Sequence, residues 1–380
     1  MKVINFDPIK ERKIVPSKLK QARISRNLSL AQLSKLIGVS SQTISLYEKG
    51  KIQPSSPVLI KIIDELDFPI NFFCENEEMD LSDGTVYFRS NKNIPKKIKD
   101  ACKVRIAWIN SAYKLINSYF NLPKIDIPDF GDISFDSIDD LKIEDITIEL
   151  RRYWRLGESP IENLIDLLQQ KGIVITKLEI GNKKIDAFSK WESEIPYVFL
   201  GSDKDSAVRS RFDLAHELGH LILHRNIDEE DLEENINLIE HQADWFAASF
   251  LLPLRSLDKE VLSSSIDNFV LLKKRWKVSI SAMIRRCREC DILTENQIKY
   301  LHSQMIKNRY YKREPLDDVI VSEKPYLFKQ AFEILVENDI FTKESLLEEI
   351  KLNKQEAISL YGLDKDFFDK KTDFLKLIEF

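Results

Sequence analysis

The chain has 380 residues, of which 43% are hydrophobic, and its formal net charge at pH 7 is −5. This length favours two or three domains, and the hydrophobic content is enough to form buried cores. The net negative charge excludes a chain that is strongly basic over its whole length. The sequence shows neither an apolar run of about 18 residues nor a signal-peptide core, which favours a cytoplasmic protein without a membrane span.

The basic N-terminal segment has the pattern of a helix-turn-helix domain. Residues 1–70 carry 12 Lys and Arg against 6 Asp and Glu. Ser29, with Gln32 three residues later, predicts a capping box at the start of an apolar helical stripe. Gly38 permits the left-handed turn that ends this first helix of the motif.

A second helix follows the turn and is predicted to read DNA. Ser40 or Ser41 would cap it, with Ile44 and Tyr47 facing inward. The predicted DNA contacts lie on its outward side and just beyond its end: Ser41, Gln42, Thr43, Ser45 and Lys49. The sequel EKGKIQP resembles the ExGxxxP pattern of Xre-type, or lambda-repressor-like, domains, which implies double-stranded operator DNA as a partner. The alternative is a small helical interaction domain without DNA contact.

The middle of the chain alternates polar and periodic segments. A polar linker is predicted at 76–93, with YFRS inside it at 87–90. Helices are predicted at 96–120, 143–157 and 160–172, the last with Pro160 near its first position, and strand-like runs at 173–180, 185–191 and 196–201. GNKK between the first two runs favours a hairpin, and an exposed edge of such a sheet could hold an extended peptide by strand addition.

The segment RFDLAHELGHLILH at 211–224 carries an HExxH pattern made of His216, Glu217 and His220. Residues four apart share one face of a helix, so the two imidazoles can bind one Zn²⁺ ion. Glu217 follows the first ligand and can take a proton from a water at the open coordination position. The metzincin continuation of this motif is absent from the sequence.

A third ligand is predicted in IEHQADWFAASFLLP at 239–253. Its ExxxD pattern places Glu240 and Asp244 one helical turn apart on one face. Glu240 is the predicted zinc ligand. Asp244 is predicted to accept a hydrogen bond from the far ring nitrogen of a ligand histidine, with His216 as first choice. This layout is similar to that of thermolysin-like zinc peptidases.

Two other histidines, His224 and His241, are candidate metal ligands. His224 extends the stripe of His216 and His220, but on a straight helix it lies about 12 Å from His216, too far for both to bind one ion. We therefore interpret His224 as a histidine at the helix C-terminus. His241 points about 100° away from Glu240 and stays open as the alternative third ligand.

Four stretches together resemble the ImmA/IrrE family of zinc metallopeptidases: PIENLIDLLQQKGI, KIDAFS, RFDLAHELGHLILH and EHQADWFAASFLLP. The resemblance covers about 145–255. It implies Zn²⁺ held by His216, His220 and Glu240, with Glu217 as catalytic acid and base. It also implies a peptidase that relieves repression by cutting a helix-turn-helix repressor, in bacteria, phages or mobile elements. The pair His241-Gln242 departs from the family pattern.

The C-terminal 125 residues are helix-rich. VSISAMIRR, within 271–293, is interpreted as part of a helical bundle packed on the catalytic domain, with a further DNA-reading helix as the alternative. Residues 325–380 are predicted to form a sensor or oligomerisation module. Cys287 and Cys290 form a CxxC that we interpret as reduced and structural, because no second pair or nearby histidine accompanies it.

We therefore predict an α+β protein that is predominantly helical. Its predicted parts are an all-α helix-turn-helix domain (1–75), a linker (76–95), a zincin-like metallopeptidase domain with a small mixed or antiparallel sheet (96–255) and a C-terminal helical domain (256–380). The predicted function is a DNA-binding regulator fused to an endopeptidase of narrow specificity that cleaves a partner repressor or itself. A non-proteolytic transcription factor with a structural or sensory zinc site, an antitoxin or immunity-type binding protein, and a homodimeric state stay open.

Overall fold

The computed structural model describes residues 13–74, 87–88, 95–131, 133–178, 187–201 and 206–369. The helices in these ranges are, in chain order, α1 (Pro16–Ser25), α2 (Leu30–Ile37), α3 (Ser41–Glu48), α4 (Ser56–Leu66), α5 (Ile70–Cys74), α6 (Lys96–Tyr119), α7 (Asp140–Tyr153), α8 (Leu164–Gln170), α9 (Ala207–Leu223), α10 (Glu229–Glu234), α11 (Ile236–Leu251), α12 (Leu254–Glu260), α13 (Ile266–Trp276), α14 (Ile280–Glu289), α15 (Glu295–Lys307), α16 (Leu327–Glu337), α17 (Lys343–Ile350) and α18 (Lys354–Tyr361). The strands are β1 (Tyr87–Phe88), β2 (Val174–Leu178), β3 (Ala187–Glu192) and β4 (Ile195–Gly201). The predicted fold class, mostly helical with a small mixed sheet, is confirmed.

Contacts divide the chain into two compact units. Unit 1 comprises Met1–Leu81, Pro95–Phe120 and Phe328–Phe380, and unit 2 comprises Ser82–Ile94 and Asn121–Leu327. This division differs from the predicted domain ranges, because α6 and the C-terminal helices group with the helix-turn-helix and not with the helices of the metal centre. Most of the predicted linker lies outside the described residues.

The helix-turn-helix of unit 1 forms from local signals. Ser29 and Gln32 make the predicted capping box at the start of α2, and Gly38 ends that helix with a φ of +74°. Helices α16, α17 and α18 complete unit 1. A carboxylate oxygen of Glu356, in α18, accepts a hydrogen bond from Arg26 at 2.5 Å. Arg26 follows α1, so α18 is tied directly to the helix-turn-helix.

The sheet of unit 2 has the strand order β1-β3-β4-β2. β3 pairs antiparallel with β1 and with β4, whereas β2 pairs parallel with β4. The predicted hairpin between the first two strand-like runs is wrong, because β4 lies between β2 and β3. The actual hairpin joins β3 to β4 through Ser193, whose φ is +54°, and its neighbour Glu194.

The core of unit 2 forms where α9 and α11 pack against each other. Gly219 permits their close approach, since a Cβ there would lie 3.1 Å from the ring of Phe246. α8 begins at Leu164 with Asn163 as its N-cap. Pro160 is therefore not the first residue of α8 as predicted, because the Asn163 side chain accepts from the N–H of Asp166 and sets the start.

The remaining helices of unit 2 support this core. Cys287 in α14 is buried, and burial raises the pKa of its thiol to about 12. Burial also raises the pKa of Cys290, to about 11. Both thiols therefore stay protonated at neutral pH, which agrees with a structural role. None of the described helices is long and apolar enough to span a bilayer.

Candidate metal centre and helix-turn-helix

Two histidines and a glutamate converge at the interface of α9 and α11. The Nε2 atoms of His216 and His220 lie 3.0 Å apart. The Glu240 carboxylate oxygens lie 3.5 Å from Nε2 of His216 and 3.6 Å from Nε2 of His220. Both histidines are buried, and the Glu240 side chain is 23% exposed. Among the described residues these three make the one group with the spacing of a metal site.

Asp244 holds the far side of the His216 ring. One of its carboxylate oxygens accepts a hydrogen bond from Nδ1–H of His216 at 2.8 Å. The other oxygen accepts from Arg285, in α14, at 3.0 Å. With the proton of the neutral ring on Nδ1, Nε2 of His216 presents its lone pair toward Glu240.

A chain of hydrogen bonds holds the far side of the His220 ring. Nδ1 of His220 lies 3.0 Å from Nδ1 of His224, and Nε2 of His224 lies 2.9 Å from the side-chain oxygen of Gln242. The Gln242 amide nitrogen donates to the carbonyl of Phe135 at 2.7 Å, which fixes the orientation of this amide. Nε2 of His224 must therefore donate, and its Nδ1 must accept from Nδ1–H of His220. Nε2 of His220 is left with a lone pair.

The donor set fits a tetrahedral metal ion such as Zn²⁺. Two imidazole lone pairs and a carboxylate face one another, and only a cation or a proton between them can stabilise this arrangement. Bonds of about 2.0–2.1 Å at tetrahedral angles separate ligand atoms by about 3.3 Å. The observed separations of 3.0, 3.5 and 3.6 Å lie close to that value.

The protonation of the metal-free cluster follows from its burial and its carboxylates. Burial lowers the pKa of His216. Hydrogen bonds with Asp244 and Glu240, together with the charge of nearby carboxylates, outweigh burial and raise this pKa to about 9. Burial raises the pKa of Glu240, yet hydrogen bonds from His216 and His220 lower it to about 2. Burial, aided by the charge of His220, lowers the pKa of His224 to about 3. The cluster holds a proton at neutral pH that a metal ion would displace.

Glu217 lies next to His216 on α9 and is fully buried. The hydroxyl of Ser189, in β3, donates to its Oε2 at 2.6 Å. This bond crosses from the sheet to the HExxH helix, so it fixes the orientation of the Glu217 carboxylate.

The alternative third ligand lies elsewhere. Nε2 of His241 lies 2.9 Å from the Asp140 carboxylate, on α7, and the His241 side chain is 42% exposed. His224 serves as the C-cap residue of α9, as expected, and in addition contacts His220. Glu240 is therefore the side chain that the fold brings to the two histidines of HExxH.

The predicted DNA contacts lie on one side of α3. Ser40 is the N-cap, and its side chain accepts from the N–H of Thr43, which places Ser41 at the first helical position. The exposed residues among the predicted contacts are Ser41, Gln42 and Lys49, and the partly buried ones are Thr43 and Ser45. The Thr43 hydroxyl also hydrogen-bonds the Ser40 hydroxyl, so Gln42 is the longest uncharged side chain that α3 presents near its N-terminus.

The opposite side of α3 is fixed to the core of unit 1. Ile44 and Tyr47 are buried, as the apolar spacing predicts. Arg23, in α1, donates to both carboxylate oxygens of Glu48, at 2.5 and 2.8 Å. This bidentate pair locks α3 against α1, and it leaves the outward face of α3 with a defined orientation.

Four residues of the site were not assigned these contacts from the sequence: Ser189, His224, Gln242 and Arg285. For His224 a signal was present, because it stands four residues after His220 on the same helical face and so can contact that ring. The other three act across elements that are distant in the sequence, and no local spacing indicates their partners.

A buried HExxH helix that receives a glutamate from a second helix is the arrangement of a metallopeptidase. Comparison with protein families gives the same class. The model of peptidase family M78, described as the IrrE N-terminal-like domain, matches residues 168–288. A model described as helix-turn-helix matches residues 19–73. None of the curated proteins compared with the chain matches it. Two parts of the chain are thus similar to known families, residues 19–73 to Xre-type helix-turn-helix domains and residues 168–288 to the metallopeptidase domain of ImmA/IrrE proteins.

Proposed function

We propose that the chain is a transcriptional regulator whose IrrE-like domain is a zinc-dependent endopeptidase, and that it relieves repression by cleaving a repressor-type protein. The observation that carries the proposal is the metal cluster together with its neighbour. His216, His220 and Glu240 face one point, and the buried carboxylate of Glu217 stands beside them on the same helix. Hydrolysis by an HExxH peptidase needs ligands for one metal ion and a general base that activates one water molecule.

The residues divide the chemistry between them. Zn²⁺ held by His216, His220 and Glu240 would supply a Lewis acid for the scissile carbonyl and for the attacking water. Glu217 takes the proton of that water on Oε1, because Ser189 holds Oε2. Glu217 then passes the proton to the leaving amine nitrogen as the C–N bond breaks, and returns to its charged form.

The helix-turn-helix supports a regulatory substrate. A peptidase attached to a DNA-binding domain is concentrated near proteins that occupy the same operator, so a repressor bound there meets it at a high local concentration. We therefore propose a narrow substrate range and poor activity on unfolded general substrates. The exposed Gln42 would read a base edge, and Lys49 would contact the DNA backbone.

The test uses the zinc-loaded full chain and three proteins: a helix-turn-helix repressor identified among the products of the neighbouring genes, casein, and the chain itself. We expect cleavage of the repressor or of the chain by the parent and none by the Glu217→Gln variant, which keeps the ligands. Zinc retention without cleavage of any of the three would favour the non-proteolytic regulator. Rapid digestion of casein would contradict the narrow substrate range.

A further inference from the structure

We propose that the outer edge of β3 is the peptide-binding edge of the metal centre, and that β1 occupies this edge as an internal competitor. A protein substrate would have to displace Tyr87–Phe88 before it could pair with β3. The inference rests on the proposed peptidase function. It specifies where a protein substrate would bind and what limits its access to the metal centre.

β3 borders the HExxH helix. Ser189 donates to Glu217, and the indole N–H of Trp191 donates to the carbonyl of Leu221, at 3.1 Å. Because alternate residues of a strand share one face, Ser189 and Trp191 show that this face of β3 covers the HExxH turns of α9. A strand added at the edge of β3 lies about 4.8 Å from it, so it runs beside the metal ligands.

The other edge of β3 is taken within the sheet. Ser189 is aligned with Val198 of β4, and β2 lies on the far side of β4. Of the described strands, β3 is therefore the one that can offer an outer edge next to Glu217. Such an edge supplies the row of backbone N–H and C=O groups with which an extended peptide pairs, and this is how many domains hold peptide segments.

β1 pairs with that edge. The paired positions are Tyr87 with Ser189 and Phe88 with Phe188, in antiparallel orientation. Ser189 is the residue that holds the Glu217 carboxylate, so the pairing reaches the position where the reaction would occur. The residues on either side of Tyr87–Phe88 lie outside the described part of the chain, and a protein substrate would compete for the same backbone groups of β3.

A cavity next to Trp191, two residues along β3 from Ser189, would give a paired peptide room for a side chain. It has a volume of about 440 Å³, and its lining includes Trp191 of β3, Leu221 and Leu223 at the end of α9, and Phe130 from the segment before α7. In peptides bound by strand addition, main-chain hydrogen bonds supply affinity and side pockets supply selectivity. The edge of β3 and the cavity next to Trp191 provide both.

The binding test uses the full chain with Glu217→Gln, loaded with zinc, so that no bond is cut. The probe is a fluorescein-labelled peptide with the sequence of residues 83–92, DGTVYFRSNK. Tyr87→Pro with Phe88→Pro removes two backbone donors from β1, and Val321→Pro, at an exposed position outside the helices and strands of unit 2, is the matched control. We expect the double variant to bind the probe about tenfold or more tightly than its parent, because an occupied edge lowers the apparent affinity. The Val321→Pro variant should bind like the parent.

Hydrogen exchange separates loss of pairing from loss of fold. The amides of β3 should exchange faster in the double variant, whereas those of α9 should keep their protection. Equal probe affinity in the parent and the double variant, with α9 still protected, would overturn the proposal. So would self-cleavage between residues 85 and 90 in the zinc-loaded wild-type chain, since the segment would then be a substrate and not a competitor. An inactive peptidase would leave the binding result unchanged, so the two proposals fail separately.

Discussion

The Nδ1 atoms of His220 and His224 lie 3.0 Å apart, one turn from each other on α9. Only one of them can carry the proton of this contact. Gln242 decides which, because its side-chain oxygen requires a donor at Nε2 of His224. The tautomer of a candidate metal ligand is thus set from another helix, through a histidine that cannot reach the ion.

Replacing Gln242 should weaken metal binding. Gln242→Met removes the acceptor for His224, so the His220 ring loses the contact that keeps its lone pair on the metal side. We expect zinc affinity to fall by about 10–100-fold, the usual effect of losing such a partner. Competition with a chelator measures it, and Gln170→Met, at an exposed glutamine of α8, is the control.

A double-mutant cycle tests whether Gln242 acts through His224. In a chain that already carries His224→Phe, Gln242→Met should cost little further zinc affinity, because the shared path is already broken. Equal losses in the two backgrounds would show that Gln242 affects the site by another route.

Arg285 should support the site through Asp244. Asp244→Ala removes the acceptor for Nδ1 of His216, and we expect zinc affinity to fall by about 10–100-fold. Arg285→Met leaves that acceptor in place and should have a smaller effect, because Arg285 is half exposed. Arg288→Met, on the same helix and paired with Glu295, should leave zinc affinity unchanged. An effect of Arg288→Met equal to that of Arg285→Met would contradict a specific role for the Arg285–Asp244 pair.

The third ligand can be identified by metal content. Glu240→Ala and His216→Ala should each strip the ion, since two remaining ligands rarely hold zinc. His241→Ala should keep it, because His241 contacts Asp140. Elemental analysis of the purified variants decides between Glu240 and His241. Zinc retained in Glu240→Ala and absent from His241→Ala would reverse the assignment.

Zinc binding should remove the pH dependence of stability that the His216 proton causes above pH 6.5. The pKa of His216 is raised from 6.5 to about 9 in the metal-free fold. Below pH 6.5 the folded and unfolded chains both hold this proton, so its stabilising contribution is fully present. That contribution is lost as the pH rises toward 9, because the unfolded chain has already released the proton.

The measurement is thermal unfolding between pH 6.5 and 9. The metal-free chain should become less stable over this range, whereas the increase in Tm on adding zinc should grow, because less proton has to be displaced. In a His216→Ala chain, both the decrease in metal-free stability with pH and the growing effect of zinc on Tm should be absent. A zinc increment independent of pH would contradict displacement of a proton from the cluster.

DNA binding should depend on α3 in two distinguishable ways. Gln42→Ala should reduce the preference for the operator over unrelated duplex DNA, because it removes a side chain placed to read a base. Lys49→Ala should weaken binding to both DNAs and lower the salt dependence by about one charge. The full chain is the right material for titrations at several salt concentrations, since α6 and α16–α18 are part of unit 1. Equal effects of Gln42→Ala on both DNAs would argue against base reading.

Local patterns predicted much of the fold and of the site. The capping box at Ser29 and the left-handed Gly38 follow from neighbours a few residues away, and the structure confirms both. The i, i+4 spacings of HExxH and ExxxD predicted which side chains would share a face of a helix. That α9 and α11 would meet was not contained in either spacing. It came from the family resemblance.

The wrong predictions concern partners that are distant in the sequence. The hairpin at GNKK failed because strand pairing depends on the whole sheet, and β4 lies between the two strands. Residues 325–380 were predicted to be helix-rich, but their sequence did not indicate that α16–α18 would group with the helix-turn-helix. The contact of Gln242 with the carbonyl of Phe135 could not be foreseen, because it depends on the path of a loop 107 residues earlier.

The discontinuous unit 1 has a consequence for how the chain folds during synthesis. Arg26 lies 330 residues before its partner Glu356. At roughly 5–20 residues per second, a ribosome would deliver α18 on the order of tens of seconds after the helix-turn-helix. Unit 2 is complete in the nascent chain before then, because its last residue is Leu327. A chain that stops before α16 can therefore contain every metal ligand and still lack part of its DNA-binding unit, so full-length synthesis is the step that makes unit 1 whole.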